Sequence, residues 1–144
     1  MKRKKVAIIL FGIALVLALV CVKNFSGSKK IDLHNRFALI HENQVFTLSQ
    51  INIADNWDAA LVIGPYNTAG VDKIKMDDAI KSDIKSSAFG DEGYCTLIFE
   101  KGGELVSYAF VPRTNCADFS DLDNIQIQRD EKLRLTKKRV VKKE

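Results

Sequence analysis

Few side chains in this sequence are equipped for chemistry, and the most distinctive group brackets one apolar run. Trp57-Asp58 precedes it and Gly64-Pro65-Tyr66 follows it. Aromatic rings supply rigid contact area with a polar handle, so Trp57, Asp58 and Tyr66 are candidate binding residues. The plainer alternative makes Trp57 a core anchor, Asp58 a loop brace and Pro65-Tyr66 a fixed turn. Asp118, Asp121 and Asp123, with Asn124, raise the question of calcium. Only Asp121 and Asp123 keep the alternate spacing of a calcium loop and no glycine follows, so capping or solvation is the expected use of these carboxylates. Cys95 and Cys116 have twenty residues between them, no CxxC, and the two histidines, His34 and His41, far away in sequence. That is not a metal pattern. In an oxidising compartment a Cys95–Cys116 disulfide would contribute about 3 kcal/mol in the chain-entropy model, and the alternative is two buried thiols. Nothing matches a nucleophile with its base: GxSxG is absent and neither cysteine carries a family signature. No enzyme, no cofactor and no metal is expected.

The elements that must position these residues begin after a membrane segment. Met1-Lys2-Arg3-Lys4-Lys5 is followed by seventeen apolar or small positions, residues 6–22. At about 1.5 Å per residue these reach roughly 25 Å, close to a hydrocarbon core of about 30 Å. A cleaved signal has a shorter apolar region and a small-x-small exit, whereas here the exit is Val20-Cys21-Val22-Lys23. Val20 and Leu19 are also too bulky for a lipid-accepting cysteine at Cys21. An uncleaved transmembrane anchor is therefore expected, with residues 1–5 as a cytoplasmic stub. Residues 23–30 read as a tether and residues 31–131 as an extracytoplasmic domain. This is the layout of a single-pass envelope protein with a cytoplasmic N-terminus.

The net charge of +4 hides a segregation. Residues 31–131 hold 17 acidic and 8 basic side chains, a net of −9, while residues 132–144 hold 7 basic and one acidic. A nucleic-acid protein needs its cations on a folded face, and this distribution excludes that class. Residues 132–144 read instead as a basic tail, solvated and frayed from 137 onward, with anionic lipid or acidic wall polymer as a possible contact. In the reading of an immunity or inhibitor protein, the acidic body would speed encounter with a basic protein partner through electrostatic steering.

Along the body, residues 36–40 and 45–48 form either a hairpin or a short helix leading into a strand. Ala59-Ala60-Leu61-Val62-Ile63, bounded by Gly64-Pro65, reads as a buried strand. Met76, Ile80 and Ile84 recur every four residues and predict a helix facing a sheet, capped by Thr68 or Asp72, with Asp77 and Lys81 as an i,i+4 pair. Gly90-Asp91-Glu92-Gly93 ends it. Residues 94–100 and 105–111 flank Lys101-Gly102-Gly103-Glu104 as a hairpin, Pro112 stops the second strand, and Ile125-Gln126-Ile127-Gln128 alternates as a last one. The class is α+β: a mostly antiparallel sheet of four or five strands with one main helix on a face.

The Trp57-Asp58 pair, the apolar strand and Gly64-Pro65-Tyr66 resemble a motif in an uncharacterised family of small bacterial envelope proteins, single-span or lipoprotein-type. Leu97-Ile98-Phe99-Glu100-Lys101-Gly102-Gly103, Val111-Pro112-Arg113 and Asp118-Phe119 extend the resemblance over residues 45–130. It implies an envelope-anchored α+β domain and imports no activity, and Cys95 and Cys116 are not part of it. Arg113 joins Trp57, Asp58 and Tyr66 as a candidate binding residue. The expectation is a membrane-tethered, non-enzymatic accessory or binding domain. Its alternatives are an immunity or inhibitor protein that neutralises a basic partner, and a small envelope hydrolase.

Overall fold

In the computed structural model, which describes residues 29–54 and 56–144, the chain runs through β1 (Lys29–Lys30), α1 (His34–Ala38), β2 (Val45–Phe46), α2 (Leu48–Ile51), β3 (Ala59–Ile63), α3 (Asp78–Gly90), β4 (Tyr94–Lys101), β5 (Glu104–Pro112), β6 (Gln126–Gln128), β7 (Leu133–Leu135) and β8 (Val141–Lys143). Short 3-10 turns lie at Val71–Lys73 and Ser120–Leu122. The anchor expected at residues 6–22 falls outside the described residues. Among those described, no helix is long and apolar enough to cross a membrane.

The class is α+β. One sheet has the order β1-β5-β4-β3-β6, antiparallel except for the two-residue β1, which runs parallel to β5; a second antiparallel sheet has the order β2-β7-β8. All five residues of β3 are buried because both faces of the large sheet are covered. Successive side chains alternate between faces. Ala60 and Val62 therefore join Leu97, Phe99 and Val111 in one core under α1, α2 and the small sheet. Leu61 and Ile63 join Ile84, Ala88, Ile98 and Tyr108 in a second core under α3 and the Val71–Lys73 turn. A continuous apolar run is what such a doubly covered strand requires.

The hairpin between β4 and β5 follows from its glycines. Gly102 and Gly103 have φ of 58° and 81°, the positive pair that a two-residue hairpin turn needs and that side chains with Cβ atoms resist. The helical stripe also behaves as expected: Ile84 is fully buried, and Met76 and Ile80 pack against the same core.

Three features differ from expectation. The helix is capped by Asp77, whose carboxylate accepts the Ala79 N–H at 2.8 Å, not by Thr68 or Asp72. With Asp77 engaged there, Lys81 turns to Asp72 (3.6 Å), and the foreseen i,i+4 pair gives way to a tie between helix and 3-10 turn. Residues 36–48 stay within expectation and take the helix-then-strand alternative. Residues 137–144, expected to be frayed, instead complete the β7–β8 hairpin. Leu133, Leu135 and Val141 are fully buried in the main core. The Arg139 guanidinium, on a residue with φ of 60°, donates to the Cys116 and Phe37 carbonyl oxygens and so pins the hairpin turn to α1.

Candidate functional site

The predicted site residues separate into two places. Trp57 is 1% exposed. Its indole meets the Phe99 ring edge-on (centroids 4.9 Å apart), carries the Arg129 guanidinium 5.3 Å from its own centroid, and donates Nε1–H to the Asn52 carbonyl at 3.3 Å. Asp58 prolongs β3 through its backbone, its N–H donating to Glu100 O and its carbonyl accepting from Arg129 N, both at 2.9 Å. Tyr66 lies beyond the other end of the strand. The five residues of β3 alone extend about 17 Å, so Trp57 and Asp58 stand at the opposite end of the strand from Tyr66, with the Trp57 ring inside the core. Trp57 thus takes the plainer of its two readings, a core anchor, and the candidate binding residues divide between the two ends of β3.

Tyr66 and Arg113 do meet, through Glu92. The Tyr66 hydroxyl bonds to the Glu92 carboxylate, and Arg113 donates to the Glu92 backbone oxygen at 2.9 Å. The hydrogen bond to Glu92 raises the Tyr66 hydroxyl above its ordinary pKa. Backbone geometry makes Tyr66 unusual. It follows Pro65 with φ of 64°, at the position a proline turn reserves for Gly or Asn. Its N–H caps the Ala88 carbonyl (2.8 Å) in the last turn of α3, which holds the strained conformation in place.

Phe89 and Tyr94 complete the group. With Tyr66 they are the exposed large aromatics among the described residues, at 59%, 37% and 56% exposure, and all sit where β3 ends, β4 begins and α3 stops. Sequence reading missed both. Phe89 carried a signal: it falls one position past the stripe of residues 76, 80, 84 and 88, so a large ring leaves the core-facing side just before Gly90.

The acidic loop is a brace for this end of the sheet. Asp123 accepts from the Gly64 N–H (2.7 Å), the Asn67 amide (2.6 Å) and the Asn124 amide (3.1 Å), while the Asn124 oxygen takes the Gly70 N–H at 2.9 Å. Gly70 must lack a side chain, since a Cβ there would lie 2.6 Å from that oxygen. Asp118 is gripped by Arg113 at 3.0 and 3.3 Å and by the Ser120 N–H at 2.9 Å. The carboxylates weighed for calcium are thus occupied by internal donors, except the exposed Asp121. Among the described residues no group of three or more His, Cys, Asp or Glu could hold a metal ion.

Burial alone would raise the Asp118 carboxyl, but the Arg113 and Ser120 hydrogen bonds outweigh it and leave the group below its ordinary value. A lowered folded-state value stabilises the fold above the unfolded pKa of about 3.9, and that stability is lost as pH falls through the folded value. Asp118→Asn should flatten the acid limb below about pH 4 in a series of urea midpoints. An unchanged limb would remove Asp118 from the acid response.

Of the two readings, bridge or buried thiols, the structure has Cys95 and Cys116 as free, fully buried thiols. The Cys95 thiol lies 3.9 Å from the Asp118 carboxylate, and burial pushes it up to about 12. Burial also raises Cys116. In a Cys21→Ser background neither thiol should react with an aromatic disulfide reagent at about pH 8 until the domain unfolds, when two should titrate. Fewer than two on unfolding would restore the disulfide.

Comparison with family models, curated proteins and solved structures finds no match for this chain. Its function must be read from the site itself.

Proposed function

We propose that this chain is a non-enzymatic binding domain of the bacterial envelope, tethered by residues 6–22 with its folded body outside the cytoplasm. Its recognition surface is the aromatic end of the large sheet. The observation that carries this reading is Tyr66, an exposed ring on a backbone conformation that costs about 1–2 kcal/mol and is held by a dedicated helix-capping bond. Such strain concentrates where a side chain must be presented to something. Phe89 and Tyr94, exposed at the neighbouring ends of α3 and β4, add rigid aromatic area of the kind typical of energetic centres in protein interfaces. The envelope address is supported by the apolar run, its cationic flank and the resemblance to envelope-anchored proteins.

The partner is a basic protein. Glu92 bonds to the Tyr66 hydroxyl, Asp91 precedes it, and residues 72–92 around this end hold six acidic side chains and four lysines. Complementary charge speeds encounter and suppresses wrong partners. This charge also favours the narrower reading of an inhibitor or immunity protein that covers a cationic target.

A photo-crosslinking side chain at position 66 or 89 should capture a basic envelope protein in intact cells, and the same group at Lys73 should not. Equal capture at all three positions, or none, would overturn the assignment. Tyr66→Gly should abolish capture yet leave the urea midpoint equal or slightly higher. Glycine relieves the strain, at a chain-entropy cost of about 0.5–1 kcal/mol. A loss above about 2 kcal/mol would make the ring structural rather than presented.

A further inference from the structure

We infer that the layer built from α1, α2 and the small sheet is the face with which the domain lies on its own membrane, and that this face selects anionic phospholipid headgroups. The inference rests on residues 6–22 serving as the anchor, and adds to that reading a face and a lipid charge. The six residues 23–28 span at most about 21 Å even when fully extended. A body of about a hundred residues, with a radius of gyration near 13 Å, cannot retreat from the surface on so short a lead. The face turned to the bilayer, whichever it is, therefore stays within reach of the headgroups.

Charge decides which. Residues 129–144, all in or beside the small sheet, hold eight basic and three acidic side chains, whereas residues 72–92 on the α3 side hold six acidic side chains and four lysines. Strand alternation sets the direction these cations take. Phe46, Leu133, Leu135 and Val141 turn into the core, so the opposite row, in which Val45 pairs with Arg134 and Arg134 with Lys142, faces out. Lys137, Lys138 and Lys142 line a groove of about 380 Å³ on that hairpin. Each cation brought near an anionic lipid surface strengthens binding about fivefold.

Apolar side chains supply the second component of interfacial binding. Leu39 and Ile53, 77% and 61% exposed, are the most exposed large apolar side chains among the described residues. Leu39 stands one helical turn after Arg36, and Arg36 and Ile53 line one groove of about 440 Å³. The Arg139 bond to the Phe37 carbonyl joins this α1 corner to the lysine-bearing turn. Cations flanking exposed aliphatic groups describe a surface that sits in the headgroup zone.

The test uses the whole 144-residue chain in nanodiscs of phosphatidylcholine with or without phosphatidylglycerol, each containing a trace of headgroup-spin-labelled lipid. In the anionic discs the Leu39 and Ile53 amide signals should lose at least threefold more intensity than those of Lys81 and Ser82 on α3. The contrast should shrink in neutral discs and in the Lys137→Glu/Lys142→Glu variant. Uniform attenuation, or stronger attenuation at α3, in a chain still held by the disc overturns the docking face and leaves the anchor standing. Elution of the chain apart from the discs overturns both. Abolition of the contrast by added soluble poly(glycerol phosphate) assigns the face to a wall polymer and overturns the lipid assignment.

Discussion

Deleting residues 132–144 is expected to abolish the cooperative thermal transition of the domain. Composition alone marks this segment as dispensable, with seven cations in thirteen residues. Its three buried aliphatics say otherwise: Leu133, Leu135 and Val141 are fully inaccessible and share the core with Phe37, Phe46 and Phe119. Each such side chain contributes about 1.5–3 kcal/mol on burial, so the three together approach the whole stability of a small domain, about 5–15 kcal/mol. Further losses follow. β2 loses β7, its one strand partner among the described residues, and the Asp118 N–H and carbonyl, which bond to Arg139 O and Val141 N at 2.8 Å, are left unpaired beside the core. An unsatisfied buried backbone group costs about another 1–3 kcal/mol. Near-ultraviolet circular dichroism on heating reads the outcome. A truncated chain that melts cooperatively within a few degrees of the intact one would show the hairpin to be an ornament. The single change Leu135→Ala should cost about 2–5 kcal/mol in urea unfolding and leave a folded protein for comparison.

Why the hairpin was not legible, when the β4–β5 hairpin was, comes down to where each signal is stored. Gly102-Gly103 specifies its turn locally, and the strands it joins are eight and nine residues long. In the small sheet each strand has only two or three residues, too few for alternation to stand out from charge, and Val45 finds Arg134 from the far side of the domain. The buried run of β3 and the Ile80–Ile84 stripe are likewise local, and the fold class and the large sheet followed from them. The cap of α3 was misplaced because Thr68, Asp72 and Asp77 are all competent caps, and only packing of the Val71–Lys73 turn against the sheet decides where the helix begins.

The candidate site divides the same way. Tyr66 stood out as a ring in a proline turn, and Arg113 through its motif. The group that joins them, Glu92, lies more than twenty residues from either, so only the sheet could bring it there. Tyr66 and Arg139 both break the local rule against positive φ. Arg139 commits its side chain to the Cys116 and Phe37 carbonyls, whereas Tyr66 leaves its ring exposed. Broken rules of the second kind collect at functional positions. Trp57 breaks none.

Trp57→Ala is accordingly expected to cost about 3–5 kcal/mol, the range for a large aromatic removed from a core. The ring is inaccessible, fills the space between Phe99 and Arg129, and satisfies the Asn52 carbonyl with its one polar hydrogen. Its two ring neighbours are held away from the cavity, Phe99 by its place on β4 paired with β3 and Arg129 by the bond of its guanidinium to the Trp57 carbonyl at 3.3 Å. Trp57→Phe keeps most of the contact with Phe99 and forfeits the bond to Asn52, so about 1–2 kcal/mol is expected from it. Urea midpoints at constant slope measure both. The comparison with Tyr66 gives the result its meaning. If Trp57 is purely a core residue, whatever fraction of Trp57→Ala remains folded must still capture the partner through position 89. A variant that stays as stable as the parent but loses capture would move the recognition surface to the opposite end of β3 and leave Tyr66 with no role but its turn.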